Sequence, residues 1–470
     1  MRHPNIVLFL TDDHGAWAGG FAGNSELHTP MLDELAREGH SFANAFTPCP
    51  VCSPARACVL SGQTPSQIGI HDWLEEAEPD IANYDWLAGQ PTLFDLFKAQ
   101  GYATALCGKW HLGRSHLPPA GADYHFGLPG WQGSHNQKYT YVRNGERVTL
   151  MGNKSRFITD HALDFLSQAP HDRPFFLNVG YIATHSPYGR RHHDPAQTAR
   201  YMDAAFVDIP PYEPHPWVKN EDGPGDAPTE ESLRERYIGY YAAVSEIDQN
   251  VQRIVEHLHT LGRLDDTLIV YTSDHGCAQG HHGFWGKGNS TRPLNMYETS
   301  LRVPLILRGP EIRGGQRWTQ CVSHYDTFQT LSDLTGLAPD PATPRPGASY
   351  APLLEGRLHE DWDDTLIGEY GDLRMVRTPQ WKLVWRYPDG PHDLFNLVDD
   401  PGERRNLAED PAHGETKRAL KAQIDAFYAR YSREETSGLR IKQLHRHNVD
   451  AEAWRDGRRE RRGLQVYDTL

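Results

Sequence analysis

Cys52-Ser53-Pro54-Ala55-Arg56 sets a cysteine just ahead of a proline and an arginine, at the head of a stretch that closes with Ser61-Gly62. Proline in the first turn of a helix fixes φ where its missing N–H costs nothing, so the spacing predicts a helix with Cys52 at its positive end. Unpaired amide N–H groups and the macrodipole favour an anion there, and Arg56, one turn on, adds a forked cation. A cysteine before a helix is by itself more often a small buried residue than a reactive one. Its partners decide the matter. Two acidic motifs supply candidates: Asp12-Asp13 after an apolar run near the start, and Asp274-His275 after another in the second half. Paired carboxylates are costly to hold together without a cation, and hard oxygen donors suit Ca²⁺ or Mg²⁺, while the imidazole of His275 also suits softer ions. Lys109 and His111 in Gly108-Lys109-Trp110-His111, His185 in Thr184-His185-Ser186-Pro187, and Lys287 in Trp285-Gly286-Lys287-Gly288 add cationic or titratable groups. Each alone reads as a solvent-facing charge. Gathered around Arg56 they would form the local positive field that an anionic substrate needs.

The elements that must position these residues are strands. Residues 5–11, 102–107, 174–179 and 267–272 are runs of β-formers, and each is followed by one of the candidate groups. That is the pattern of buried parallel strands presenting polar side chains at their C-terminal edge. Helices are expected at 31–38, 92–100, 156–168, 230–261 and 326–334, with cap-like Thr and Pro at the first and Gly at several ends. Another strand falls at 303–307. Residues 72–90 read as an acidic, Trp-rich surface excursion near the site mouth, 115–149 as loops with short hairpins, and 188–228 as a long irregular substrate rim. From 339 the texture becomes that of a linker, followed by strands at 365–368, 373–377 and 381–386 and a helix at 415–431. The fold class is therefore α/β: a large mixed, mostly parallel sheet flanked by helices over residues 1–340, then a smaller C-terminal α+β domain with an antiparallel sheet over 341–470, ending in a charged tail. There is no internal repeat.

With 47 basic and 62 acidic residues the 470-residue chain carries a net charge of -15, which argues against a nucleic-acid partner. No apolar run approaches the ~20 residues a bilayer needs, so no membrane partner is expected. The short apolar run before Asp12-Asp13 cannot serve as a secretory core, and a cytoplasmic location is expected, a trimmed leader being left open. Six cysteines in this length are too sparse for a secreted disulfide framework. Cys49-x-x-Cys52 lacks the second pair a zinc site would want and the context of a redox motif. The basic stretch 455–462 reads as a solvated helix or, alternatively, as an arm in a homo-oligomer.

The motif C-x-P-x-R followed by S-G resembles the signature of the type I sulfatases, members of the alkaline-phosphatase-like superfamily, in which that cysteine is oxidised to Cα-formylglycine. Asp12-Asp13 and Ser273-Asp274-His275-Gly276 resemble the family's metal ligands, and Lys109, His111, His185 and Lys287 its sulfate pocket. Leu394 to Leu407, L-F-N-L-V-D-D-P-G-E-R-R-N-L, is similar to its C-terminal signature, so that only the tail falls outside the likeness. Two departures stand out: Gln63 where many members have Arg, and His275 where some have Asn.

The resemblance implies a sulfatase acting on a small sulfated substrate, a carbohydrate or aryl sulfate. It implies one divalent metal, Ca²⁺ first with Mg²⁺ or Mn²⁺ as alternatives, held by Asp12, Asp13, residue 52, Asp274 and His275. It also implies a formylglycine-generating enzyme as a maturation partner. Hydrated formylglycine at position 52 would supply the nucleophile, Arg56, Lys109 and Lys287 would hold the sulfate oxygens, His185, with Lys287, would protonate the leaving group, and His111 would take the proton that releases sulfate. Two rivals remain: a phosphonate monoester hydrolase or phosphodiesterase with the same nucleophile, against which the resemblance sets Lys109 and His111, and a non-catalytic binder of sulfated ligands with an unmodified Cys52.

Overall fold

Residues 5–11 are buried at every position, and their side chains divide by parity: Ile6, Leu8 and Leu10 enter one hydrophobic cluster, Val7 and Phe9 another. A strand covered on both faces belongs in the middle of a parallel sheet. The computed structural model, which describes residues 3–130, 136–218, 228–312, 314–357 and 361–448, places it there. In chain order the strands are β1 (Asn5–Thr11), β2 (His40–Phe46), β3 (Ala103–Gly108), β4 (Tyr124–Gly127), β5 (Asn136–Arg143), β6 (Glu146–Asn153), β7 (Phe175–Gly180), β8 (Thr267–Ser273), β9 (Ala278–Gln279), β10 (Trp285–Gly286), β11 (Leu305–Arg308), β12 (Gln316–Ser323), β13 (Leu366–Tyr370), β14 (Leu373–Arg377), β15 (Trp381–Arg386) and β16 (Asp393–Asn396).

Among the described residues ten strands form one sheet in the order β12-β2-β11-β8-β1-β7-β3-β4-β5-β6. β12, β2, β8, β1, β7, β3 and β4 share one direction, while β11 and β5 oppose it. The helices Lys154–Gln168 and Glu230–Thr260 cover one face through Ile158, Ala162, Ile247, Val251 and Ile254. Cys52–Ser61, Leu93–Ala99 and His324–Thr335 cover the other through Val59, Phe94, Phe97, Phe328 and Leu331. Asp248, on the long helix, accepts the backbone N–H groups of Met31 (3.2 Å) and Leu32 (2.8 Å) and so caps the helix Pro30–Glu38 from a distance.

β13 to β16 form a separate antiparallel sheet against which the helix Gly414–Arg430 packs Leu420, Ile424 and Tyr428. A buried ion cluster ties this sheet to the helix Glu298–Leu301: Lys382 bridges Glu298 (3.1 Å) and Glu403 (2.7 Å), and Arg302 and Arg377 also reach Glu298. No helix among the described residues is long and apolar enough to cross a membrane.

Several segments differ from expectation for identifiable reasons. Residues 72–90 are a surface excursion only in part: Ala77, Pro79, Asp80, Asn83, Tyr84, Asp85, Ala88 and Gly89 are exposed, but Asp72, Leu74, Ile81 and Trp86 are buried and anchor the segment. Asn448 donates to Asp72 (2.9 Å) and to the Trp73 carbonyl (3.0 Å), His447 meets the His71 N–H at 3.0 Å, and His445 stacks on Tyr84. The segment 339–350 is not a loose linker: Arg345 donates to the Ser61 carbonyl at 2.7 Å and Tyr350 packs in the core against Phe42. The stretch 115–149 contributes a hairpin of two eight-residue strands, β5 and β6, that widens the main sheet. β2, β12 and β16 were unannounced by the sequence pattern, since β2 and β12 mix polar with apolar residues. The basic stretch 455–462 lies outside the described residues.

Candidate active site

The parallel strands end on one edge, and the loops that leave them bring the expected residues together. Gly108 at the end of β3 and Gly180 at the end of β7 permit a close approach. A Cβ on Gly108, whose φ is 112°, would lie 2.1 Å from the Gly180 carbonyl oxygen, and one on Gly180 would lie 2.5 Å from the Lys109 carbonyl oxygen. The Lys109 N–H then donates to Gly180 at 2.8 Å, which fixes where its side chain begins. After β1 the chain turns sharply at Asp13, whose φ of 59° lies in the left-handed region that residues other than glycine seldom adopt. Thr184, beyond β7, secures that turn: its hydroxyl lies 3.0 Å from the Asp12 carbonyl and 2.7 Å from that of Asp13, and its N–H donates to Asp12 at 3.0 Å. The Tyr240 hydroxyl donates to the Asp13 carbonyl at 2.9 Å, and that of Tyr188 to the Asp13 carboxylate at 3.2 Å.

Cys52 is the first residue of its helix and is 2% exposed. Its sulfur accepts from Lys287 Nζ at 3.0 Å and lies 3.4 Å from both Asp12 Oδ1 and His275 Nε2. Lys109 donates to Asp12 Oδ2 at 2.5 Å, Lys287 to Asp13 Oδ1 at 2.7 Å, and Arg56 Nε to Asp274 Oδ2 at 2.8 Å. His275 Nε2 is 3.2 Å from Asp13 and 3.4 Å from Asp274. Burial alone would raise both carboxyls of the Asp12-Asp13 pair. Lys109, His185, Lys287 and Arg56 instead hold Asp12 well below the usual range, and Lys287, His185 and His275 lower Asp13. Burial and Asp12 oppose ionisation of the Cys52 thiol, yet Lys109, Lys287 and His275 bring it down to about 6. Asp274, dominated by burial, is pushed up to about 6, and His275, surrounded by carboxylates, up to about 9 despite burial.

Arg56 is not left free to grip a substrate oxygen with its whole fork. Nη1 donates to the Lys109 carbonyl (3.1 Å) and Nη2 to that of Thr11 (3.3 Å), so together with its bond to Asp274 it clamps three of the loops that build the site. His111, at φ 60°, turns Nε2 to the Leu74 carbonyl at 2.8 Å. That carbonyl can only accept, so Nε2 carries the proton and Nδ1, which has no hydrogen-bond partner among the described residues, is left as an open lone pair. Burial lowers this imidazole to about 4, which keeps it neutral. The loop pairs His192-His193 and His281-His282 stand apart from the cluster. His193 faces the Pro187 carbonyl, His281 the Asp208 carbonyl, and His282 stacks on Tyr297.

Ligand atoms of Asp12, Cys52, Asp274 and His275 all lie within 4.8 Å of one another, as do those of Asp12, Asp13, Cys52 and His185. Two such groups that share Asp12 and Cys52, with the three buried carboxylates each within 4 Å of His275 Nε2, fit a divalent cation, the oxygen majority favouring a hard one. Thr184, Tyr188 and Tyr240 were not anticipated; a lone Thr or Tyr carries no spacing signal, although Thr184 sits beside the singled-out His185. Next to the cluster lies a cavity walled by Glu76, Lys109, His111, Leu128, Lys154 and Ile182.

A sequence-family model described as Sulfatase matches residues 4–337, and a second, described as the C-terminal part of N-sulphoglucosamine sulphohydrolase, matches residues 280–430. A choline-sulfatase of Rhizobium meliloti is 30% identical over 489 aligned positions, covering 97% of this chain and 92% of its own. The solved structure of a protein in complex with its substrate D-glucosamine-2-N,6-O-disulfate superposes with a TM-score of 0.77 at 24% identity, covering 92% of this chain and 98% of that one. A phosphonate monoester hydrolase of Agrobacterium radiobacter shares the fold at a TM-score of 0.70 and 21% identity, over 91% and 96% of the two chains.

Proposed function

This chain belongs to the sulfatase family of sulfuric ester hydrolases, and from that premise we propose that it cleaves a carbohydrate or aryl sulfate with formylglycine, formed from Cys52, as its nucleophile and one divalent metal, Ca²⁺ by preference. The observation that carries this reading is the convergence of Asp12, Asp13, Asp274, His275 and Lys287 on the Cys52 side chain. Asp12, Asp13, Asp274 and His275 would hold the metal, which when bound supplies the charge that favours an ionised oxygen nucleophile at position 52. Oxidation of Cys52 supplies an aldehyde whose hydrate offers a second hydroxyl, so that sulfate can be expelled without water attacking sulfur.

The chain's own groups do the remainder. Lys109 and Lys287 stand on either side of Cys52, bonded to Asp12 and Asp13, and neutralise the sulfate oxygens from there. Arg56 holds Asp274 and the Lys109 loop in place. His185, a ring nitrogen of which lies within 4.8 Å of ligand atoms of Asp12, Asp13 and Cys52, gives a proton to the leaving alcohol. The open Nδ1 of His111, neutral at pH 7, receives the proton released when residue 52 is regenerated. We propose further that a formylglycine-generating enzyme matures the chain.

Peptide mass analysis of the Cys52 segment, which loses its sulfur on conversion, tests the nucleophile. Comparing kcat/KM for an aryl sulfate and an aryl phosphonate tests the reaction. A phosphonate preference above about a hundredfold, near 2.7 kcal/mol, would replace this reading by that of a phosphonate hydrolase.

A further inference from the structure

On the reading that His111 takes the proton that releases sulfate, we propose that Asn448 is a positioning residue for that step, acting through the Leu74 carbonyl. His111 owes its protonated Nε2 and its open Nδ1 to that carbonyl, 2.8 Å away. The carbonyl therefore has to be held as firmly as the ring. Leu74 is buried between the short helices Pro65–Ile68 and Pro79–Ala82, in a stretch that is neither helix nor strand, so no ladder fixes its peptide groups.

Both peptide planes that flank Leu74 are instead gripped at each end. In the first, the Leu74 N–H donates to Ser53 Oγ at 3.1 Å and the Trp73 carbonyl accepts from Asn448 Nδ2 at 3.0 Å. In the second, the Leu74 carbonyl faces His111 and the Glu75 N–H donates to the His447 carbonyl at 2.9 Å. Asn448 is wholly buried, and its Nδ2 also donates to Asp72 Oδ2 at 2.9 Å, while Asp72 Oδ1 accepts the Tyr370 hydroxyl at 2.6 Å. Its two partners on this segment can only accept, so the amide nitrogen is the end that faces them. Of these grips on Leu74 from the tail, the Asn448 amide is the one a side-chain substitution can remove. Without it the Trp73–Leu74 peptide is held from one end alone, and a tilt there carries the Leu74 carbonyl off the His111 ring, whose Nδ1 then loses its fixed aim.

The test is a double-mutant cycle in kcat on the full-length protein with residue 52 converted, using whichever aryl ester, sulfate or phosphonate, the wild type turns over faster. Asn448→Ala is expected to lower kcat at least tenfold with KM within threefold. In the His111→Ala background the same substitution is expected to change kcat by less than threefold, because the ring it positions is gone. Asn448→Asp, which keeps the shape and loses the N–H donors, serves the same purpose should the Ala variant misfold. His445→Ala removes contacts of the same segment with Tyr84, Trp86 and the Asp80 carbonyl, none of them on residues 73–75, and is expected to leave kcat within threefold. A loss below tenfold, one that persists in the His111→Ala background, or an equal loss in His445→Ala overturns the positioning role alone. A His111→Ala protein as active as the wild type, or a wild type that turns over neither ester, overturns the underlying catalytic reading and this proposal with it.

Discussion

Replacing Lys382 by Met should weaken the fold by about 3 kcal/mol at pH 8 and by about 1.5 kcal/mol near pH 5.5. The magnitude follows from what each carboxylate keeps. Lys382 is fully buried and bridges Glu298 and Glu403. Without it, Glu298 retains Arg302 at 2.9 Å and Arg377 at 3.5 Å, whereas Glu403 retains the Glu298 N–H at 2.7 Å and His282 at 4.0 Å. Burial, then the neighbouring His281 and Lys382, bring His282 down to about 3, so it lends no charge at neutral pH. Removing one partner of a buried ion pair costs about 3–5 kcal/mol, and here nearly all of it falls on Glu403. Even with Lys382 present, burial pushes Glu403 up to about 7, whereas the cations outweigh burial at Glu298 and bring it down to about 2. A carboxyl raised in the folded state costs stability as pH climbs from its unfolded value to its folded one, and without the lysine that climb becomes longer. The gap between variant and wild type must therefore widen as pH rises past about 7. Urea midpoints at constant m, taken from pH 5.5 to 8, measure it. The double variant Lys382→Met with Glu403→Gln should recover most of the loss. A gap below about 1 kcal/mol at pH 8, or one that does not change with pH, would refute this account of the cluster.

Thr184→Val removes the hydroxyl that lies against the carbonyls of Asp12 and Asp13, and should cost about 1–3 kcal/mol in urea unfolding. Because it loosens the Asp13 turn, kcat/KM for an aryl sulfate should fall at least tenfold as well. Chelation followed by desalting should lower turnover more than a hundredfold and reduce the unfolding temperature, with Ca²⁺ restoring both, since an ion held by Asp12, Asp13, Asp274 and His275 binds the folded chain alone. Burial pushes Asp248 up to about 7, so the wild type should lose stability relative to Asp248→Asn as pH rises from 4.5 to 7.5, by at least about 1 kcal/mol in thermal or urea unfolding.

The candidate site was legible because its chemistry sits where strands stop. Each of Asp12, Lys109, His185 and Asp274 follows an apolar run, and the C-terminal edge of a parallel sheet does the rest. Cys52 and Arg56 were legible because proline spacing announces a helix start. Arg56 was assigned a grip on substrate that its bonds to Asp274, Lys109 and Thr11 largely occupy, which no spacing could have revealed. β12, at the edge of the sheet, and β2 beside it were hidden for a different reason. With partly polar, partly exposed positions they lack the apolar signature of β1, and their pairing with each other is a long-range choice made by the fold. The anchoring of the 72–90 segment was not legible because what holds it, residues 445–448, lies some 360 residues further along the chain.

A side chain only 2% exposed is closed to any macromolecular catalyst once the surrounding loops have settled. On the proposed maturation, the enzyme that converts Cys52 would therefore have to meet it on a chain that has not yet finished folding. The time available is bounded by assembly: Lys287 and His275, which seal the thiol in, are made long after it, and the segment that buttresses residues 71–76 comes nearly last. On that proposal maturation and folding would compete, and a molecule that folded first would keep its thiol intact. Slowing the later part of synthesis should raise the converted fraction, whereas hastening the closure of the sheet should lower it.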